Sequence, residues 1–300
     1  MYEFFLLILH LSIKKIDING VYACKNAIFR EKYVSMREIN MYETHWYDRV
    51  VASFMFFTTL PLGRLGRLTA ENSRTVVEYW PLVGWFTAAV MAAVLYFGSG
   101  VLPYSVAVLL AIVVRLLLGA GQNEEGLATF VDALAVGGGS RQHVLDAMST
   151  SRSGDRGVLA LIMYVALLFA LLFNMTPFVA AITILAAEPF SKMLAAQVAS
   201  MMPPVSMGND GVVFRRMPIE ASMGLAVQGL LPMGTYCYYM RAVIDWQMLV
   251  FLPCLAMYFL YLLIWKILRG YNLQCLSSLA LLVELAVYFV VCYYQTLDVV

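Results

Sequence analysis

Seven apolar runs dominate the sequence from residue 76 to residue 294, near 76–97, 101–118, 157–173, 177–199, 222–239, 246–268 and 276–294. Each is close to the ~20 residues a helix needs to cross the hydrocarbon core of a bilayer. Backbone in lipid must satisfy its own hydrogen bonds, so runs like these are helices or the strands of a closed barrel. Barrel strands alternate over roughly ten residues, whereas these runs are longer and continuous. The chain is therefore expected to be all-α, a polytopic membrane helix bundle of about seven spanning helices. With 62% hydrophobic and 13% charged residues and a mean hydropathy of +0.77, it lies far from the composition of a soluble domain.

Ahead of the first run, residues 48–75 carry FMFFTTLPL followed by Arg64, Arg67 and Arg74. That apolar part is short and ends at a proline, which predicts a re-entrant or interfacial segment. Residues 1–40 are different in character. Phe4 to Ile13 is apolar but too short to span, and Lys14, Lys15 and Asp17 follow it at once, the reverse of a signal peptide's order. We expect 1–40 to be a loose N-terminal extension, or translated sequence upstream of a start at Met36 or Met41. An interfacial helix is the alternative. Residues 41–300 would then form the membrane domain.

Charge sorts the connections. If 48–75 lies on one side, the connections on that side hold Arg49, Arg64, Arg67, Arg74, Arg141, Arg152, Arg156, Arg215, Arg216, Lys266 and Arg269. Those on the other side hold Arg241 alone. The positive-inside rule then predicts a multi-pass protein of the cell (inner) membrane with residues 119–157 cytoplasmic. A formal net charge of +1 leaves no footprint for nucleic acid. The five cysteines, Cys24, Cys237, Cys254, Cys275 and Cys292, are scattered without CxxC spacing, so neither a disulfide framework nor a zinc site is expected.

The stretch 119–157 is polar within an otherwise apolar sequence, and chemistry is expected there. Glu125, Thr129 and Asp132 are spaced i, i+4, i+7 and share one helix face, with Glu124 beside them. Carboxylates on one face at the mouth of a bundle suit Mg²⁺, an ion commonly held by one or two carboxylates plus substrate phosphates. A solvated acidic helix face is the alternative. After Gly137-Gly138-Gly139, Ser140 is a good N-cap, and Val144, Leu145 and Met148 predict a surface helix over 141–149. Residues 149–157, STSRSGDRG, read as a polar loop. Its arginines and backbone N–H groups suit phosphate, or simply follow the positive-inside rule.

Four ionisable residues fall inside predicted spans: Arg115, Glu188, Lys192 and Glu284. Such residues face a bundle interior or a cavity. Glu188 and Lys192 stand at i, i+4 in the order that favours pairing, either as a neutralised structural pair or as the wall of a cavity for a polar substrate.

Over roughly 50–295 the sequence resembles the cobalamin synthase family, the adenosylcobinamide-GDP ribazoletransferases. Family members open with a phrase like FFTRLP, matched by Phe56-Phe57-Thr58-Thr59-Leu60-Pro61. A Y-[FW]-P-x-x-G phrase is matched by Tyr79-Trp80-Pro81-Leu82-Val83-Gly84. The signature H-x-D-G-L-A-D-x-x-D-G aligns with 123–133, NEEGLATFVDA, and I-M-K-D-S-x-x-G-x-x-G aligns with 147–157, AMSTSRSGDRG. Late in the chain, Gly270-Tyr271 and Glu284-Leu285 resemble a GYTGD…TEL ending.

Several signature positions are substituted. Asn123 stands where the family has His, Glu125 and Thr129 where it has its first two Asp residues, and Asp132 alone is kept. Ser149-Thr150 replaces Lys-Asp, Leu273-Gln274 replaces the late Gly-Asp, and Thr59 replaces an Arg. Asn cannot exchange a proton as His can, and Thr is a poorer metal ligand than Asp.

The resemblance implies transfer of the adenosylcobinamide phosphate moiety from adenosylcobinamide-GDP to α-ribazole or its 5′-phosphate, with release of GMP. It implies Mg²⁺ on Glu124, Glu125 and Asp132, with Glu125, Asp132 and Asn123 at the catalytic positions. Ser151, Arg152 and Arg156 are candidates for substrate phosphates, the arginines on chemical grounds alone. The partners expected are the two substrates and the lipid bilayer, with other cobalamin-assembly enzymes or a second copy of the chain allowed. Two other readings stand beside this one: a homologue that binds substrate without turnover, and a small-solute transporter. Against the last, no inverted repeat or matched pair of broken spans is visible.

Overall fold

In a computed structural model, the structure describes residues 46–62, 70–137, 140–149, 154–205 and 217–297. All of them lie in the compact unit His45–Val300. The N-terminal extension, Arg64, Arg67, Ser151, Arg152, Arg215 and Arg216 lie outside the described residues. Helix α1 is Trp46–Phe57, followed after a four-residue turn (Ala70–Ser73) by a 3-10 helix, Val76–Tyr79. Then come α2 (Trp80–Ser99), α3 (Tyr104–Leu118), α4 (Gln122–Val136), α5 (Arg141–Ser149), α6 (Asp155–Phe173), α7 (Pro177–Met201), α8 (Ile219–Met240), α9 (Trp246–Leu268) and α10 (Leu273–Leu297). No strand occurs among the described residues. Pro204 and Tyr271 form an isolated bridge.

The apolar runs thus form the expected polytopic helical bundle. Five stretches are long and apolar enough to cross a membrane: Val76–Ser99, Asp155–Phe173, Pro177–Met201, Trp246–Leu268 and Leu273–Thr296. Seven were expected, and the two that differ have physical reasons. Helix α3 has 15 residues, about 22 Å of rise, and qualifies only together with α4, to which it is bent by 86°. Helix α8 has 22 residues, but Glu220, Gln228 and three glycines dilute its apolar character. Helix α1, with 12 residues, is too short to span, and its Phe57 stacks on Trp80.

Helix α7 is the axis of the bundle, packing against α2, α8, α9 and α10. Small residues allow close approach, as in other membrane helices. A Cβ on Gly84 of α2 would lie 3.2 Å from the Pro189 Cα of α7. Gly229 of α8 leaves room for Met193. Prolines within α7, α8 and α9 (Pro189, Pro232, Pro253) are carried without ending those helices.

Several connections meet at one end of the bundle. The Thr59 N–H donates to the Leu118 carbonyl at 2.8 Å, so α3 returns the chain to the end where α2 begins. The Met217 N–H donates to Ala199, and the Val205 N–H to Tyr271. The Gln274 side chain reaches the Met148 carbonyl at 3.1 Å. At the opposite end, the Thr176 N–H meets the Gln295 side chain. The described basic residues of the connections follow this division, with Arg241 alone at the far end.

Candidate functional site

The polar stretch begins with a sharp corner. The Gly121 N–H reaches back to Leu116 at 3.0 Å and the Ala120 N–H to Leu117 at 3.3 Å, the double closure of a Schellman motif. Ala120 and Gly121 both take left-handed backbone, with φ of 52° and 62°. This corner turns α4 away from α3 and lays it across the end of the bundle.

Helix α4 is fixed there by α10 and α6. A Cβ on Gly126 would come within 2.7 Å of the Ser277 Cβ, so glycine permits the close crossing of α4 on α10. The Ser278 hydroxyl donates to the Gly126 carbonyl at 3.2 Å. The Ser277 hydroxyl donates to the Asn123 side chain at 3.4 Å. Asn272 caps α10, its side-chain oxygen accepting the Cys275 N–H at 2.9 Å. Beside it, burial pushes the Tyr271 phenol well above its ordinary pKa.

Toward α6, Asp132 supplies the N-cap that the start of that helix lacks. Its carboxylate accepts the N–H of Gly157 at 2.8 Å and that of Gly154 on the other oxygen. These are among the orphan donors of a helix N-terminus, where negative charge is also favoured by the dipole. Glycine is needed at both positions: a Cβ on Gly154 would lie 2.9 Å from the Asp132 carboxylate, and one on Gly157 would lie 2.6 Å from the Ala128 carbonyl. Arg156 returns the favour of geometry, donating to the Ala135 carbonyl in the last turn of α4 at 2.8 Å.

Beneath α4 lies a buried ionic network. Arg115 makes a two-pronged pair with Glu284, at 2.6 and 2.8 Å, and contacts the Tyr164 hydroxyl at 3.3 Å. The Tyr288 hydroxyl donates to Glu284 at 2.6 Å. Glu188 and Lys192 form the expected i, i+4 pair at 2.6 Å, joined by the Thr87 hydroxyl. Both pairs are buried, so the pair reading of Glu188 and Lys192 accounts for their geometry.

The candidate residues are therefore distributed, not gathered. Glu124 is buried and turned inward, where the strongest attractive charge acting on it is that of Arg115. Glu125 is half-exposed, and its carboxylate has no hydrogen bond among the described residues. The Thr129 hydroxyl is buried and donates to the Glu125 carbonyl at 2.8 Å. Asp132 is engaged as a cap. Residues seven apart on a helix are separated by about 10 Å along its axis, whereas Mg²⁺ needs each oxygen at about 2.1 Å. In this structure Asp132 is engaged by α6 and Glu124 faces inward, so Glu124, Glu125 and Asp132 are not gathered around one point. Among the described residues no group of three or more His, Cys, Asp and Glu side chains could hold a metal. Glu124, Glu125 and Asp132 thus do not fit a single resident Mg²⁺.

Sequence reasoning did not find the Arg115–Glu284 pairing across 169 positions, the capping by Asp132, or the approach of Gln274, Ser277 and Ser278 to α4. One signal could have pointed to the cap. Gly154 opens α6 without an N-capping side chain of its own, so a donor-satisfying group had to come from elsewhere.

Comparison with known proteins places this arrangement. The chain is 33% identical over 137 residues to an adenosylcobinamide-GDP ribazoletransferase of Leptospira interrogans, covering 46% of this chain and 51% of that protein. It is 35% identical over 117 residues to the protein of that name from Shewanella woodyi, covering 39% of this chain and 45% of the relative. With that of Shewanella oneidensis it shares 30% over 159 residues, covering 51% and 60%. The chain spans about half the length of the curated relatives it matches. No solved structure matches it. The family model for cobalamin-5-phosphate synthase covers residues 49–292, from α1 into the last helix, and the chain belongs to that family.

Proposed function

We propose that the chain transfers the adenosylcobinamide phosphate moiety of adenosylcobinamide-GDP to α-ribazole or its 5′-phosphate. The single observation that carries this reading is the family match over 49–292, which takes in every element that builds the polar end. A ribazole hydroxyl oxygen would form the new bond to the phosphorus that carries cobinamide. The bond from that phosphorus to the bridging oxygen would break, GMP would leave with the bridging oxygen, and the hydroxyl proton would pass to solvent or a nearby carboxylate. Little covalent chemistry is asked of the protein beyond positioning and charge stabilisation.

Glu125 supports the chemical role best, because its carboxylate is half-exposed and makes no hydrogen bond among the described residues. Asn123, whose side chain accepts from the Ser277 hydroxyl at 3.4 Å, is proposed to orient a substrate group. Asp132 and Arg156 act as positioning residues that set α4 against α6. Arg152 and Ser151 are proposed as phosphate contacts on sequence grounds alone. Mg²⁺ enters this reading as an ion accompanying the substrate diphosphate, with Glu125 available to it, and none of the roles above depends on it. The setting proposed is the cell membrane, with the polar end cytoplasmic.

The test is a transferase assay on full-length protein in nanodiscs, following GMP release from adenosylcobinamide-GDP with α-ribazole, with and without Mg²⁺. We expect GMP and the cobalamin product in equal amounts, with the rate of Glu125→Gln lower by about 10²-fold or more, the scale of a lost acid–base contribution. Substrate binding without product would leave a non-catalytic homologue. Labelling of Arg141→Cys from the cytoplasmic side only would support the orientation, and labelling from the opposite side would refute it.

A further inference from the structure

A cavity of about 640 Å³ lies between the 3-10 helix and the first turns of α8, with Arg49 of α1 at its rim. Neither α4 nor α5 lines it. Its volume falls within the range of small-molecule sites, and its lining is unusually polar for a protein of this composition. Arg49, Arg74, Glu78, Tyr79, Glu220 and Gln228 contribute to it. Arg49 and Glu78 stand 4.0 Å apart, the outer limit of an ion pair. Arg74 and Glu220 make no ion pair among the described residues. The buried Oε1 atom of Gln228 has no hydrogen-bond partner among the described residues, although its Nε2 reaches the Glu78 carbonyl at 3.5 Å. A buried acceptor left without a donor is unfavourable, and an N–H-bearing ligand would satisfy it.

Taking the proposed transferase reaction as its basis, we propose that this cavity is a guanine-nucleotide site, holding the guanosine-phosphate end of the donor substrate and, after transfer, the GMP product. The lining offers cations together with acceptors, so it suits a ligand that is anionic at one end and donates hydrogen bonds at the other. Guanine presents N1–H and an exocyclic amino group side by side, two donors that carboxylates and an amide oxygen accept. Its phosphates suit the Arg49 and Arg74 guanidiniums. The benzimidazole of α-ribazole carries no N–H donor, and a corrin ring is too large for the cavity. Because the Met217 N–H joins the start of α8 to the end of α7, the cavity opens at the same end of the bundle as α4. A nucleotide held there shares a membrane face with Glu125.

The test is equilibrium dialysis of labelled GMP against the full chain in nanodiscs, with AMP and inorganic phosphate as competitors. We expect GMP to bind, AMP to compete at least tenfold more weakly, and phosphate to compete most weakly. Arg74→Gln should weaken GMP about tenfold, with partial rescue in Arg74→Lys. Glu220→Gln should weaken GMP by a similar factor without changing phosphate competition. Ala221→Trp, which fills the cavity, should abolish binding in protein that still elutes as a single species. Equal competition by AMP, or GMP affinity indifferent to Arg74→Gln, Glu220→Gln and Ala221→Trp, overturns the proposal. The transferase assay separates the two readings. Turnover with GMP affinity indifferent to cavity substitutions removes the cavity site and leaves the reaction. Base-selective GMP binding without turnover removes the reaction and leaves the site.

Discussion

Asp132 and Arg156 cap each other's helices: the Asp132 carboxylate of α4 accepts the first N–H groups of α6, and the Arg156 guanidinium of α6 donates to the Ala135 carbonyl that ends α4. Each charge meets the helix pole of opposite sign. Asp132 keeps unused lone pairs, and its orientation is set by its bonds to α6.

From that orientation we expect Mg²⁺ alone, without nucleotide, to leave the melting temperature of the purified protein unchanged. A resident ion at 100 times its Kd would add about 2.7 kcal/mol of stability, which differential scanning fluorimetry would register. A rise in Tm with Mg²⁺ that disappears in Asp132→Asn would show that the acidic residues assemble after all.

Asp132→Ala should destabilise the protein by about 0.5–2 kcal/mol, the range for a lost N-cap. Asp132→Asn should cost less, because one acceptor oxygen remains. Denaturation midpoints of the two variants give the comparison; equal midpoints to the parent protein in both would remove the capping role.

The crossing of α4 on α10 depends on Gly126. A Cβ there would meet Ser277 at 2.7 Å, and overpacking of this kind costs about 1–3 kcal/mol. Gly126→Ala should therefore lower stability by that amount and reduce transferase turnover with it. The paired change Gly126→Ala with Ser277→Gly should recover most of the stability, and a double variant no better than the single one would mean that the clash lies elsewhere.

Arg115 and Glu284 are both buried, so each is costly without the other. Arg115→Met leaves Glu284 uncompensated and should cost about 3–5 kcal/mol, whereas Arg115→Met with Glu284→Leu should be close to neutral or more stable. Thermal denaturation midpoints of Arg115→Met, Glu284→Leu and the double variant close the cycle. Additive losses would show that the pair is not coupled.

Much of the bundle could be read from hydropathy, because a spanning helix needs only length and apolar composition, both local properties. The i, i+4 pairing of Glu188 and Lys192 was legible for the same reason. So was helix α5, through Ser140 and the stripe of Val144 and Met148. What failed to show was non-local. Arg115 and Glu284 were visible as intramembrane charges, but nothing in the spacing says that α3 and α10 are neighbours. Glu125, Thr129 and Asp132 do share a helix face, yet the face alone did not reveal that Asp132 is spent on Gly154 and Gly157, or that Glu124 turns inward. The 15 residues of α3 looked like a span because the run is apolar to its end, and only the corner at Ala120 shows where it stops.

That corner carries a last prediction. Ala120 occupies the position after the helix cap at which Schellman motifs usually place glycine, and it does so with φ of 52°. A left-handed backbone costs a residue with a Cβ roughly 1–2 kcal/mol. Glycine removes that strain but loses more conformational freedom on folding, about 0.5–1 kcal/mol relative to alanine. Ala120→Gly should therefore stabilise the protein, by about 1 kcal/mol or less, while Ala120→Val should destabilise it, because a β-branched side chain tolerates left-handed backbone worst. Chemical denaturation in a fixed detergent would order the three proteins as Gly, Ala, Val. If valine at 120 matched alanine, α3 would have to end in some other way, and the 86° turn that lays α4 across the bundle would need a different cause.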